Sequence, residues 1–268
     1  MVDIAGVERE RSGERSRAGM TLSARARRVA RATLLWGVRA AAAFAALAVA
    51  GVAVYRFVDP PVTWTMAQRF AGGAEIRHAP VAIDAISPHL VRAVIAAEDS
   101  RFCSHAGFDH AAIAQAMAEA RNGRRLRGAS TISQQTAKNA YLWTGGGWAR
   151  KGVEAGFTLM IEAAWPKRRI MQAYLNAAEW GDGLFGAEAA AQARFGKSAA
   201  EVSQYEAALM ASVLPSPNNW RLDPPSEYVS SRASTLLRRM DIVERDALAD
   251  CVLAPERRAR APAASRRR

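Results

Sequence analysis

From Ala40 to Tyr55 the chain carries an uninterrupted apolar run, and no other stretch limits its folding so severely. With Leu34, Leu35, Trp36 and Val38 just upstream, the apolar length reaches the roughly 20 residues that span a bilayer. Arg39 lies near the upstream end of the run, where its side chain can snorkel to the headgroups. Arg25, Arg27, Arg28 and Arg31 precede the segment, and the arginine-rich flank of a membrane helix is the cytoplasmic one. Residues 1–31 are therefore expected as a basic cytoplasmic tail, an arm without regular structure. Residues 32–57 are expected as a transmembrane helix, with everything after Arg56 on the outer side. A cleaved signal peptide is the alternative; the long basic arm and the length of the apolar run favour an uncleaved anchor.

The formal charge of +12 invites a nucleic-acid reading, but its distribution argues against one. Residues 1–58 hold ten Arg against four acids and residues 256–268 six Arg against one, whereas 59–255 balance 21 basic residues against 20 acidic ones. A nucleic-acid-binding domain concentrates charge on its folded part, and here the charge sits in the tails. No nucleic-acid partner is expected. Anionic membrane lipids suit the N-terminal tail, and residues 256–268 read as a basic disordered tail.

Pro60 and Pro61 open a linker and membrane-proximal segment over 58–85. The rest, 86–255, has the length of one domain and reads as helix after helix, a mainly α class. Ser87-Pro88 is an N-cap followed by proline at the first helical position. Asp109 caps a helix with Ile113, Ala116, Met117 and Ala120 on one face. Val153 to Ala164 and Lys167 to Trp180 form a helical stretch broken at Pro166. Ser203-x-x-Glu206 is a capping box, and Ser226 to Met240 and Ile242 to Val252 close the domain. The only place for a hairpin is a short one within Glu75 to Ile83. Cys103 and Cys251 are too few and too far apart for a zinc site. They are either one disulfide, which an extracytoplasmic setting allows, or two free thiols.

Two polar runs carry the chemistry. Ala97-Glu98-Asp99-Ser100-Arg101-Phe102-Cys103-Ser104-His105-Ala106-Gly107-Phe108-Asp109 puts a carboxylate at the end of the apolar helix bearing Leu90, Val91, Val94 and Ile95. Gly128-Ala129-Ser130-Thr131-Ile132-Ser133-Gln134-Gln135-Thr136-Ala137-Lys138-Asn139 gathers hydroxyls, paired amides and an ammonium, groups that suit a polyol and an anion. Lysine is scarce: Lys138, Lys151, Lys167 and Lys197 are the only four among 37 basic residues. Lysine is a compact point charge where arginine is a planar fork, so the clustering points to positions that need an ammonium. Tyr141 to Trp148 is a glycine loop between two tryptophans, either a mobile connector or an element lying at headgroup depth.

These runs resemble the first two motifs of the peptidoglycan glycosyltransferases, the polymerases of lipid II. Glu98 to Gly107 fits Glu-Asp-x-x-Phe-x-x-His-x-Gly, and Gly128 to Gln135 fits Gly-x-Ser-Thr-Ile-x-Gln-Gln. Arg150-Lys151-Gly152-Val153-Glu154 fits the third motif, and Lys167 to Asn176 the fourth with Met171 in place of leucine. Arg232 to Leu237 resembles the fifth, with Leu236 in place of valine. The resemblance implies a monofunctional enzyme with a lysozyme-like helical domain and one N-terminal transmembrane helix. Its setting would be the inner membrane, with the catalytic domain periplasmic. It would extend glycan strands from lipid II with inversion and loss of the lipid pyrophosphate. Partners would be lipid II, the growing strand and membrane lipids, with cell-wall synthesis or division proteins as further candidates.

By that resemblance Glu98 is the general base, taking a proton from a sugar hydroxyl, and Glu154 the second acidic residue. Glu154 either orients cations, helps to bind a divalent ion or protonates the leaving group. Lys138, Arg150 and Lys151 would neutralise the pyrophosphate, and Ser130, Thr131, Gln134, Gln135 and Asn139 would hold substrate. No Asp-x-Asp occurs, so no obligatory metal is expected; Mg or Mn could enter with the pyrophosphate. His105, Asp109, Lys197 and Arg232 read as structural, and Lys167 and Asn176 as either structural or substrate-facing. The rivals are a lytic, lysozyme-like enzyme that cleaves strands and a non-enzymatic membrane-tethered scaffold. The absence of Ser-x-x-Lys and Lys-Thr-Gly argues against a second, penicillin-binding domain.

Overall fold

The computed structural model describes residues 4–123 and 130–254, with side chains from residue 27 onward. The basic tail expected at 256–268, and Gly128 and Ala129 of the second polar run, lie outside the described residues. The chain divides after Gly51 into two units. The first belongs to α1 (Ile4–Tyr55), a single α-helix. The arm expected without regular structure is thus helical from Ile4. Its Arg, Glu, Ala and Leu are strong helix formers, and no proline interrupts them. Within α1, Arg27–Tyr55 is long and apolar enough to cross a membrane, 29 residues with a mean hydropathy of 1.9.

The second unit begins at Val52. Its chain enters across the segment expected as a linker, which is in fact fastened to the domain. The guanidinium of Arg169 donates to the carbonyls of Tyr55 and Val58 and to Asp59, at 2.6 to 2.9 Å. The amides of Gln172 and Asn176 donate to the second Asp59 oxygen. A buried arginine is tolerable only when its donors are matched in this way. Asn176 also bonds Val81 through both its amide nitrogen and its oxygen, so it belongs to the scaffold. Next come α2 (Trp64–Ala71), capped by Thr63, and β1 (Arg77–His78).

Two helix clusters make the core. In one, α3 (Pro88–Glu98) packs on α9 (Gln204–Val213) and α10 (Glu227–Arg245); in the other, α5 (Ile132–Tyr141) packs on α6 (Gly147–Ala164) and α7 (Lys167–Ala177). Leu90, Val91, Val94 and Ile95 of α3 are completely buried. The α9 run from Ala207 to Val213 is buried on every face, as an all-round apolar helix must be. The expected caps form: Ser87 Oγ accepts from His89 N at 3.3 Å, Asp109 Oδ1 from Ala112 N at 2.9 Å, and Ser203 Oγ from Glu206 N at 3.4 Å.

Three local expectations change. In α4 (His110–Arg121) the proposed apolar face is only partly covered: Ala116 is buried, Ile113 and Ala120 are half-buried, and Met117 is half exposed. Helix α7 stops at Ala177, and β2 (Glu179–Gly181) follows, joined through Gly183 at φ 69° to β3 (Leu184–Phe185). The hairpin lies there and not in 75–83, whose β1 instead pairs in parallel with β3 to give the order β1-β3-β2. Lastly, α10 runs unbroken past Asp241 to Arg245. After α8 (Ala187–Phe195), the small helix α11 (Asp250–Leu253) brings Cys251 to Cys103, and the two form a disulfide with a Cα separation of 5.6 Å.

Candidate active site

Glu98 is the last residue of α3, and the loop after it is built to hold that helix end still. Asp99 is buried and spends both carboxylate oxygens on neighbours. His105 Nε2 donates to it at 3.0 Å and Ile132 N at 3.0 Å. His105 Nδ1 accepts from Gly107 N at 3.2 Å, which selects the tautomer protonated at Nε2. Gly107 sits at φ 94°, and a Cβ there would lie 2.8 Å from Thr158 Cγ2; both facts call for glycine. Arg101 pairs with Asp109, whose hydrogen bond from that guanidinium lowers the carboxyl from 3.8 to about 2. Lys167 donates to Glu162 at 2.7 Å and lies 4.5 Å over the Phe102 ring. The disulfide at Cys103 anchors the same loop to α11.

The second polar run starts α5. Thr131 is its N-cap, in a capping box with Gln134: Gln134 N donates to Thr131 Oγ1 at 3.2 Å and Thr131 N to Gln134 Oε1 at 3.0 Å. Thr131 Oγ1 donates to Gly107 O at 2.6 Å. Thr131 and Gln134, expected to hold substrate, are buried, and the Thr131 hydroxyl and Gln134 Oε1 are engaged by the helix cap, which gives both a scaffold role. Gln135 faces the other way and donates from Nε2 to Glu98 Oε2 at 2.8 Å.

Gln135 stands where two chambers of one groove meet. The first, of about 420 Å³, is lined by Lys138, Asn139 and Arg150. The second, of about 800 Å³, is lined by Glu98, Ser130, Trp220, Tyr228 and Arg232; Gln135 and Pro215 line both. Lys138 is largely enclosed. Burial is the main cause that lowers its pKa from 10.5; Arg150 and Lys151 act in the same sense, while Glu154 and Glu98 oppose them.

Glu154 is buried on α6, one turn from its partners. Arg150 Nη1 donates to Oε2 at 2.8 Å, and Lys151 Nζ pairs with Oε1. Of the roles open to Glu154, this geometry supports the orienter: each oxygen already accepts from a cation. It counts against Glu154 as the proton donor its catalytic assignment allowed. No cluster of three His, Cys, Asp or Glu that could hold a metal occurs among the described residues. With Glu154 engaged, the residues here do not make a protein-held site for Mg or Mn. The glycine loop ahead of α6 passes φ 84°, 93° and 58° at Gly145, Gly146 and Gly147 and brings the Gly145 carbonyl to Arg150 Nε. Gln68 of α2 steadies it, accepting from Thr144 N at 3.0 Å and Thr144 Oγ1 at 2.8 Å.

Lys197 is confirmed as structural by its pair with Glu206 at 2.8 Å. Arg232 is not: it lines the Glu98 chamber with no ion-pair partner among the described residues. Trp220 and Tyr228 were missed altogether. The available signal was the spacing of Tyr228 and Arg232, four apart on one helix face.

The transglycosylase family profile matches residues 65–241. A biosynthetic peptidoglycan transglycosylase of Rhodospirillum centenum is 58% identical over 221 residues, 81% of this chain and 96% of that protein. One of Caulobacter vibrioides is 49% identical over 204 residues, 76% of this chain and 89% of its own length. Another, of Aeromonas hydrophila, is 48% identical over 196 residues, 72% and 83% of the two chains.

Proposed function

The chain belongs to the transglycosylase family, as a peptidoglycan glycosyltransferase of cell-wall synthesis with a lysozyme-like helical domain, and we propose that it uses Glu98 as base to polymerise lipid II. The observation that carries this reading is the groove, with a carboxylate in one chamber and a cation cluster in the other, joined at Gln135.

Glu98 takes the proton of the acceptor sugar hydroxyl as that oxygen bonds to the anomeric carbon of the donor. The bond from that carbon to the pyrophosphate oxygen breaks on the opposite face, so the centre inverts. The lipid pyrophosphate leaves toward Lys138, Arg150 and Lys151, whose charge-assisted hydrogen bonds stabilise the negative charge as it develops. Glu154 holds Arg150 and Lys151 in place for this. Gln135 fixes the Glu98 carboxylate, while Ser130 and Asn139 offer hydrogen bonds to sugar and pyrophosphate oxygens.

The apolar helix supports a single-pass anchor, with the N-terminus cytoplasmic and the catalytic unit periplasmic, next to a lipid-tailed substrate. The disulfide is in keeping with an oxidising compartment. Trp64, Phe70 and Trp148, all strongly exposed, suit contact with headgroups, as do membrane lipids as partners. Full-length protein in detergent with purified lipid II is expected to yield a ladder of glycan polymer on gels, and no soluble fragments from isolated sacculi. Fragment release without polymer would favour the lytic reading; neither activity, a scaffold.

A further inference from the structure

We infer that Trp220, Tyr228 and Arg232 form a sugar-binding platform that holds the acceptor's N-acetylhexosamine ring against Glu98. This rests on the polymerase reading above and adds to it the residues that select the acceptor.

The groove is asymmetric. Its first chamber is lined by Lys138 and Arg150 beside Trp143, Tyr174 and Phe185, whereas the Glu98 chamber has the Trp220–Tyr228 pair and a single cation, Arg232. Trp220 and Tyr228 rings lie 4.8 Å apart between centroids at 57°, so together they present a bent apolar surface. Tyr228 is half exposed. An aromatic face open to a polar groove suits the axial C–H face of a pyranose, which is apolar while its rim is hydroxylated. Arg232, one helical turn beyond Tyr228, has a buried Nε with no hydrogen-bond partner among the described residues. The guanidinium of this side chain, which lines the chamber, suits the acyl oxygen of an N-acetylated sugar at the ring's edge.

The side of the reaction follows from in-line displacement. The base and the leaving-group clamp must lie on opposite faces of the reacting carbon, so the chamber with Glu98 receives the acceptor. Helix α10 packs on α3, which places Tyr228 and Arg232 on the element that also supports Glu98.

The test uses the full-length protein and lipid II whose acceptor hydroxyl is chemically blocked, so that it serves only as donor. Initial rates of the first coupling are measured with blocked donor saturating and ordinary lipid II varied, and then with donor varied. Trp220→Ala and Arg232→Leu are expected to raise the acceptor KM about tenfold, in the range of a lost aromatic or hydrogen-bonded contact, with donor KM unchanged. Trp220→Tyr should restore the acceptor KM, which a merely unfolded loop would not allow. An unchanged acceptor KM, a rise confined to the donor, or a tyrosine as damaging as alanine would overturn the platform. A wild-type protein that makes no polymer at all would instead overturn the polymerase reading, and the platform with it.

Discussion

Lys138 shows how a single residue can serve the site at the expense of the fold. A lysine whose folded pKa lies below its unfolded value is harder to charge when folded. Its contribution to stability is therefore unfavourable as pH falls through that window, neutral pH included, and is relieved toward alkaline pH. Lys138→Met should accordingly raise the melting temperature at neutral pH while abolishing polymerisation; a lowered melting temperature would show that the ammonium is not strained by burial. Lys138→Arg keeps the charge but replaces a point donor with a fork, and polymerisation should fall. Asp109 works in the opposite sense. Its pKa is held at about 2 by Arg101, so its stabilising effect is present above the usual carboxylate range and fades as pH drops toward 2. Asp109→Asn should flatten the acid limb of a stability–pH profile, with Arg101 half exposed and the effect therefore weakened by salt. Gly107→Ala should destabilise by more than about 1 kcal/mol, since its φ is positive and Thr158 crowds the site; an unchanged denaturant midpoint would contradict this.

At the scale of elements, the loop from Asp99 to Asp109 is held from three sides: by the α5 cap, by the Lys167–Glu162 pair beneath Phe102, and by the disulfide. The bridge spans a sequence separation of 148 residues, for which chain-entropy arguments give about 4–5 kcal/mol at most. Unfolding in denaturant with and without reductant is expected to show a loss of about 2–5 kcal/mol, and coincident curves would deny the bridge a structural role. What the sequence disclosed of these elements followed their physics. Caps and the Pro166 break are local, and Ser87, Asp109 and Ser203 were legible as written. Thr131-x-x-Gln134 carries the same capping-box signature, but the resemblance drew it toward substrate. The β2–β3 hairpin was missed because strands of two or three residues owe their existence to pairing with distant β1, which no local pattern records. Glu98, Lys138, Arg150 and Glu154 were legible because their motifs lie on short segments. Trp220 and Tyr228 were not, because Tyr228 reaches Glu98's chamber through the packing of α10 on α3 and Trp220, in the segment before α10, through its contact with the Tyr228 ring.

For the whole molecule, one chain joins a helix fit to cross a membrane to a unit whose groove matches a lipid-borne sugar donor. A reporter active only in the periplasm, fused after Arg268, should give signal, and a silent reporter would contradict the outward placement of the catalytic unit. The central claim is that Glu98 does the proton transfer while the cations hold the pyrophosphate. It is tested most directly by measuring polymerisation and lipid II binding side by side in full-length Glu98→Gln. The expected result is a rate lower by about 10²–10⁴-fold, with binding affinity within about threefold of the wild type because the amide keeps the shape and the clamp is untouched. A near wild-type rate, or a loss of binding as large as the loss of rate, would contradict it.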